Sequence, residues 1–383
     1  MSSLPACVKQ HLPDNNLSVL TFLAYDLPLL DHVTGTQFMR LEKYLCQSLP
    51  NSENMEEIFR LPSPPIDTIK ALAQQIRNNP DITSIQCPHS PSSGGKRFPL
   101  WVIPYWIHLH DIYETKATWK LAVSRLRNRI ETEDHTSDLL HQAFNALSYT
   151  PWAGRIEGGE RYIDSPLLSM LFTDAWLTDE HVAVMLDLLK EDLRKEGAIR
   201  QMLVEEPTFF QCLIAAYDDR ARYTTDRSYA WLRKKGEDLA AGRTGPLVSI
   251  PNKGGVHWIA LVIDFEDRII HYGDALDNPF TGELKDVIEW WTRYHTQEKF
   301  EHRRLPITFQ SDSFSCSIFS WNALESFLIP SRPPLMDTTK GLDERLKLFL
   351  RLVKKYYNHV SYSSLSGENS NRRSLRNTEC AND

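Results

Sequence analysis

Two short apolar runs joined by a tight polar turn constrain this chain more than any other feature. Trp258 to Ile263 is apolar and β-rich, Asp264-Phe265-Glu266-Asp267 turns the chain, and Ile269 to Tyr272 is a second run of the same kind. Strands joined so closely predict an antiparallel hairpin. His257 stands at the start of the first run and Asp274 just past the second. The hairpin therefore brings together two residues that are 274 − 257 = 17 positions apart. A carboxylate that accepts from one imidazole nitrogen fixes the tautomer and leaves the other nitrogen to act as a base.

Downstream, Ser317 to Leu328 (SIFSWNALESFL) reads as a buried helix with Cys316 at its start. The positive end of a helix dipole favours the thiolate at such a position. Gln310 lies 316 − 310 = 6 positions earlier. From there a side-chain amide can donate to an oxyanion alongside a backbone N–H. Each residue has an ordinary explanation by itself: a satisfied core histidine, an Asp capping a strand end, a small buried thiol. Taken together in this order, His257, Asp274, Gln310 and Cys316 are the parts needed for acyl transfer through a thioester.

The order His–Asp–Gln–Cys, the His257-Trp258 pair on a strand and the two spacings resemble the Ulp-type cysteine proteases. Asp174-Ala175-Trp176-Leu177-Thr178-Asp179 is similar to that family's opening Trp-Leu-x-Asp segment. The resemblance also takes in Tyr229 to Lys235 and Leu247 to Asn252, and covers about residues 156–355. It implies a papain-like α+β cysteine protease domain cleaving after the terminal glycine of a ubiquitin-like modifier, SUMO-like, or of its conjugates. It further implies that Cys316 attacks, His257 moves the proton, Asp274 orients His257, and Gln310 steadies the oxyanion. Trp176 and Trp258 would clamp the modifier's narrow tail, and Asp179 would contact a basic group on it. Two facing indoles leave a slot too narrow for side chains and so select glycine.

The chain departs from the family at Ser315-Cys316-Ser317, where Asp-Cys-Gly is usual. A Cβ at 317 is harmless with helical dihedrals and harmful with a positive φ. Two other readings stay open, the first on that account and the second because related Cys-His-acid sites are also known in acetyltransferases. One is a module that binds a ubiquitin-like protein without cutting it, and the other is an acyltransferase using the same Cys-His-acid set.

At 383 residues with 42% apolar and 24% charged residues, the chain has material for two ordinary soluble domains. A net charge of −7 argues against general nucleic-acid binding. No apolar run is long enough to span a bilayer, and residues 1–16 lack a signal-peptide core. Six scattered cysteines without paired spacing suit a reducing compartment, nucleus or cytoplasm. No metal or organic cofactor is expected.

Residues 1–155 read as a mostly helical, Trp-rich accessory domain of unassigned role. Helices are expected over 35–49, 66–77, 118–130 and 137–147. His108 and His110 lack a third ligand and read as structural. The Gly-rich stretch Tyr149 to Glu160 is the best boundary, giving a protease-like domain over 156–358 and a disordered polar tail over 359–383. Thr178 is expected to cap a helix, 305–309 to form a strand, and 342–357 to form a helix with its lysines and arginines outward.

Overall fold

A computed structural model describes residues 4–28, 40–88, 95–133, 138–157, 160–197, 202–332 and 334–358. The expected tail over 359–383 lies outside the described residues. The chain clusters into two units: residues 1–121 with 147–153, and residues 122–146 with 154 onward.

The first unit contains the helices Val19–Ala24 (α1) and Ile66–Asn78 (α2) and the opening of the long helix Val102–Thr132 (α3). Ser18 caps α1 by accepting from the Thr21 N–H at 3.2 Å. Ile69, Leu72 and Ala73 form the buried face of α2, as their spacing predicts. The helix expected over 35–49 is not found in its described part. Leu41–Lys43 is a single 3-10 turn, and Leu45–Cys46 (β1) pairs with Ser84–Ile85 (β2), which pairs with Phe98–Pro99 (β3). Pairing partners some 40 residues away leave no trace in local periodicity. Tryptophans organise the interior: Trp152 stacks on Phe22 at 3.9 Å, and its carbonyl accepts from Trp119 Nε1 at 3.1 Å. His110 is held by the Ser63 hydroxyl at 3.0 Å, a structural role.

In the second unit, Asp138–Ala146 is α4, and Arg155–Glu157 (β4) and Tyr162–Asp164 (β5) form a small hairpin. The principal sheet has five strands: Leu203–Val204 (β6), Leu247–Ser249 (β7), Ala260–Asp264 (β10), Ile269–Gly273 (β11) and Glu301–Arg304 (β12). Asn252–Lys253 (β8) and His257–Trp258 (β9) pair separately. The order across the sheet is β12-β11-β10-β7-β6, with β10 and β11 antiparallel and β12 parallel to β11. Leu261 and Ile263 join an aromatic cluster with Phe209, Phe210 and Trp291, while Ala260 and Val262 are buried on the opposite face. Burial on both faces explains why β10 is apolar throughout rather than alternating.

Helices Asp179–Lys195 (α5), Pro207–Asp218 (α6), Ala230–Ala240 (α7), Glu283–Thr296 (α8) and Cys316–Leu328 (α9) surround this sheet. A last helix, α10, spans 341–358. Thr178 caps α5 with an unusual partner, its N–H donating to Nδ1 of the buried His181 at 3.2 Å. Two expectations need correction. The last strand is the exposed, charged 301–304 rather than 305–309. Leu305 N–H still reaches the Tyr272 carbonyl at 2.9 Å, but Pro306 has no donor to continue the ladder. In α10, Leu346, Phe349 and Val353 are buried as expected, but Arg345 also points inward and is fully buried. No described helix is long and apolar enough to cross a membrane.

Candidate active site

Strand β9 ends the approach to the hairpin, and Asp274 follows directly on β11. The antiparallel register places Ala260 opposite Gly273, so the residues flanking this pair meet at one end of the sheet. His257 is 7% exposed and Asp274 4%. His257 Nε2 donates to Asp274 Oδ1 at 2.7 Å. The same oxygen accepts from the Leu276 N–H at 2.8 Å, and Oδ2 accepts from the Tyr272 hydroxyl at 2.8 Å. Lys253 Nζ donates to that hydroxyl at 3.2 Å and lies 4.0 Å from Oδ2.

These partners decide the charge states. Burial pushes the Asp274 carboxyl upward, but His257, the Leu276 N–H and the Tyr272 hydroxyl together hold it down at about 2. Burial likewise pushes the His257 imidazole down. Hydrogen bonds to Asp274 and to Cys316, with the charges of both, outweigh it and raise His257 to about 9. The ring is therefore an imidazolium at neutral pH. Since Nε2 is taken by Asp274, Nδ1 is the nitrogen left for the hydrogen bond with Cys316.

Cys316 is the first residue of α9 and is 6% exposed. The opening N–H groups of a helix have no partner within it, so they face whatever charge develops there. Gln310 is fixed by its backbone, whose N–H donates to the Ala275 carbonyl at 2.9 Å, one residue past Asp274. Its Nε2 donates to the Asp312 carbonyl at 2.9 Å, which leaves that amide's second N–H for another acceptor. Asp312 Oδ1 accepts from the Phe314 and Ser315 N–H groups at 2.9 and 2.8 Å, winding the chain tightly into Cys316. Ser317 lies within α9 and is not among the residues of positive φ. Its Cβ therefore costs no backbone strain.

Trp176 is half-exposed on the segment before α5, whereas Trp258 is buried. Trp258 Nε1 donates to the Leu177 carbonyl at 3.0 Å, which fixes the backbone next to Trp176. Ser320 of α9 donates to the Trp258 carbonyl at 3.2 Å. Asp179 opens α5 and accepts from Gln211 Nε2 at 3.5 Å. Three residues not singled out from the sequence also belong here. Tyr272 stands two positions before Asp274, a same-strand step that strand periodicity could have flagged. Lys253 ends the two-residue strand β8 and Asp312 sits in a loop, and neither is long enough for periodicity to report on contacts.

The model for the Ulp1 protease family, C-terminal catalytic domain, matches residues 175–344. This stretch is an Ulp1-family cysteine protease domain. No curated protein matches the chain. Among solved structures, the C-terminal Ulp1 protease domain in complex with Smt3, the yeast ortholog of SUMO, is 15% identical, with 57% of this chain and 95% of that chain covered and a TM-score of 0.43. The Chaetomium thermophilum Ulp1-like SUMO protease catalytic domain is 10% identical, covering 61% and 88%, with a TM-score of 0.38. The Xanthomonas campestris effector XopD bound to ubiquitin is 17% identical, covering 45% and 90%, with a TM-score of 0.30. The Ulp1-family domain matched here contains His257, Asp274, Gln310 and Cys316, along with Trp176, Asp179 and Trp258.

Proposed function

We propose that the Ulp1-family domain is an isopeptidase that cleaves after the C-terminal glycine of a ubiquitin-like modifier, SUMO-like in class, and releases it from its conjugates. The observation that carries this reading is the buried His257–Asp274 couple, with the imidazole raised to about 9 beside a cysteine at a helix N-terminus. That arrangement favours a thiolate–imidazolium pair ready to attack.

In the reaction, the Cys316 thiolate adds to the carbonyl carbon after the glycine. The oxyanion that forms is held by the Cys316 N–H and by the free N–H of the Gln310 amide. His257 gives its proton to the leaving lysine amine, the C–N bond breaks, and a thioester remains. Neutral His257 then takes a proton from water. The hydroxide adds to the thioester, and the modifier leaves with a free carboxylate as the thiolate is restored. Trp176 and Trp258 pass the glycine tail, and Asp179 meets a basic group on the modifier's body. Such thiol chemistry suits a reducing compartment, nucleus or cytoplasm. Residues 1–155 serve as an accessory domain.

The test is a panel of ubiquitin-like modifiers bearing a C-terminal thiol-reactive group, with Cys316→Ala as control. One modifier should form a covalent adduct that the variant lacks. Tight binding of a modifier without any adduct would instead make the domain a binding module. Labelling by an acyl-CoA in place of any modifier would make it an acyltransferase.

A further inference from the structure

Arg345 is the buried cation that the active-site chemistry has not used. It is fully buried in α10, and its guanidinium is spent on backbone carbonyls. Nη1 donates to Met170, Thr173 and Ala175 at 3.3, 2.7 and 2.8 Å, and Nη2 donates to Phe314 at 2.6 Å. The plane lies 5.0 Å from the centre of the Phe314 ring, and Nε has no partner. No described carboxylate forms an ion pair with it. Carbonyl dipoles engage its Nη donors without cancelling its charge, and an unpaired buried cation is costly to keep. A charge retained at such cost, bonded to a carbonyl two residues before the nucleophile, invites a role in the site.

The four carbonyls belong to two segments. Three lie on residues 170–175, which lead straight into Trp176; the fourth is Phe314, two residues before Cys316. One planar fork therefore ties the edge of the tail slot to the nucleophile's loop, a geometry that a lysine's compact ammonium cannot reproduce. Burial pushes the guanidinium down to about 10, while the negative charges of Asp312, Cys316 and Asp174 act in the opposite direction.

We propose that Arg345 is a positioning residue with two effects. It fixes the Ala175 and Phe314 carbonyls relative to each other, and with them Trp176 and Cys316. It also supplies positive charge, bound by no direct ion pair among the described residues and held against the Phe314 carbonyl just before α9, that favours the Cys316 thiolate. The inference rests on Cys316 as the nucleophile but not on any particular modifier.

The test compares the intact chain with Arg345→Met and Arg345→Lys. Alkylation of Cys316 by iodoacetamide is followed across pH by peptide mapping, which separates it from exposed Cys7 and Cys212. In R345M the pH of half-maximal alkylation should rise by roughly half to one pH unit, less than a direct ion-pair contact would give. R345K should keep the wild-type profile yet label about 10-fold more slowly with the modifier probe, because the two segments are no longer held together. An R345M profile that overlays the wild type, with only the melting temperature lowered, overturns the electrostatic part. R345K labelling at the wild-type rate overturns the positioning part, and Arg345→Gln, followed across pH in the same way, carries the electrostatic part if R345M fails to fold. Failure of the nucleophile reading looks different: Cys316 of the wild type would then alkylate no faster at neutral pH than exposed Cys212.

Discussion

Replacing Asp274 by Asn isolates the charge of the couple from its shape. The Asn Oδ1 can keep accepting from His257 and from the Leu276 N–H, while Nδ2 faces the Tyr272 hydroxyl, which rotates to accept. What is lost is the negative charge. His257 stands at about 9 against an ordinary 6.5, a gap of 9 − 6.5 = 2.5. At about 1.4 kcal/mol per pH unit, that gap is a preference for imidazolium of about 3–4 kcal/mol. Asp274 and Cys316 share in it. If Asp274 supplies half or more, the imidazole of Asp274→Asn falls by roughly 1–2 pH units. Near pH 7.5 the ring then goes from almost wholly protonated to about a quarter or half protonated at the upper end of that fall. Turnover should drop by roughly 100-fold or more, because the ring also loses its fixed orientation. The assay is direct: the His257 ring resonance is titrated by NMR in both proteins. A midpoint in the variant within a few tenths of wild type refutes the electrostatic account of the couple. Stability follows the same linkage. His257 is raised, so its contribution is complete below about 6.5 and is lost as pH climbs through 9. Asp274 is lowered from 3.8 to about 2, so its contribution is present above 3.8 and is lost as pH falls through 2. Both directions describe one interaction, strongest between those limits, and Asp274→Asn should flatten the unfolding free energy across them.

Two further substitutions probe the surroundings. Gly341 has helical dihedrals, so Ala would ordinarily suit it, but an added Cβ would sit 2.7 Å from Ser315 Oγ and 3.2 Å from Ser315 Cβ. Gly341→Ala should therefore cost about 1–2 kcal/mol in thermal or urea unfolding, and the cost should vanish in a Ser315→Gly background. Trp176 is half-exposed, so Trp176→Ala should change the melting temperature little. It should slow labelling by the modifier probe by about 10-fold or more; equal labelling would remove Trp176 from the tail slot.

The hairpin and the α9 helix were legible because their signals are local. A polar turn between two apolar runs, and an apolar helix beginning at a cysteine, depend on neighbours within a few positions. The strand at 301–304 was not legible, since β12 lies at the sheet edge and every one of its residues is exposed, which leaves no apolar pattern to read. The adjoining Leu305-Pro306-Ile307 looked more strand-like because of its composition, yet the proline ends the ladder there. β1 escaped for the opposite reason: its pairing partner lies far along the chain. Arg345 escaped because amphipathic reading assigns every arginine to the wet face. Only the meeting of 170–175 with 314, distant in sequence, creates the ring of carbonyls that receives it.

The same residues bear on the unusual Ser315-Cys316-Ser317. A glycine beside a nucleophile matters when the backbone must adopt a positive φ or admit a close approach. Here residue 317 is already a turn of helix, so a serine fits without strain. At 315, the loop that an aspartate could brace is braced otherwise: Asp312 takes the N–H groups of Phe314 and Ser315, and Arg345 takes the Phe314 carbonyl. Ser315 Oγ is left buried without a partner, pressed towards Gly341. The Ser315→Gly background named above should therefore alkylate at Cys316 with an unchanged pH profile. A Ser315→Gly variant that loses Cys316 reactivity would mean that the loop depends on Ser315 itself, and that Asp312 and Arg345 do not suffice to hold it.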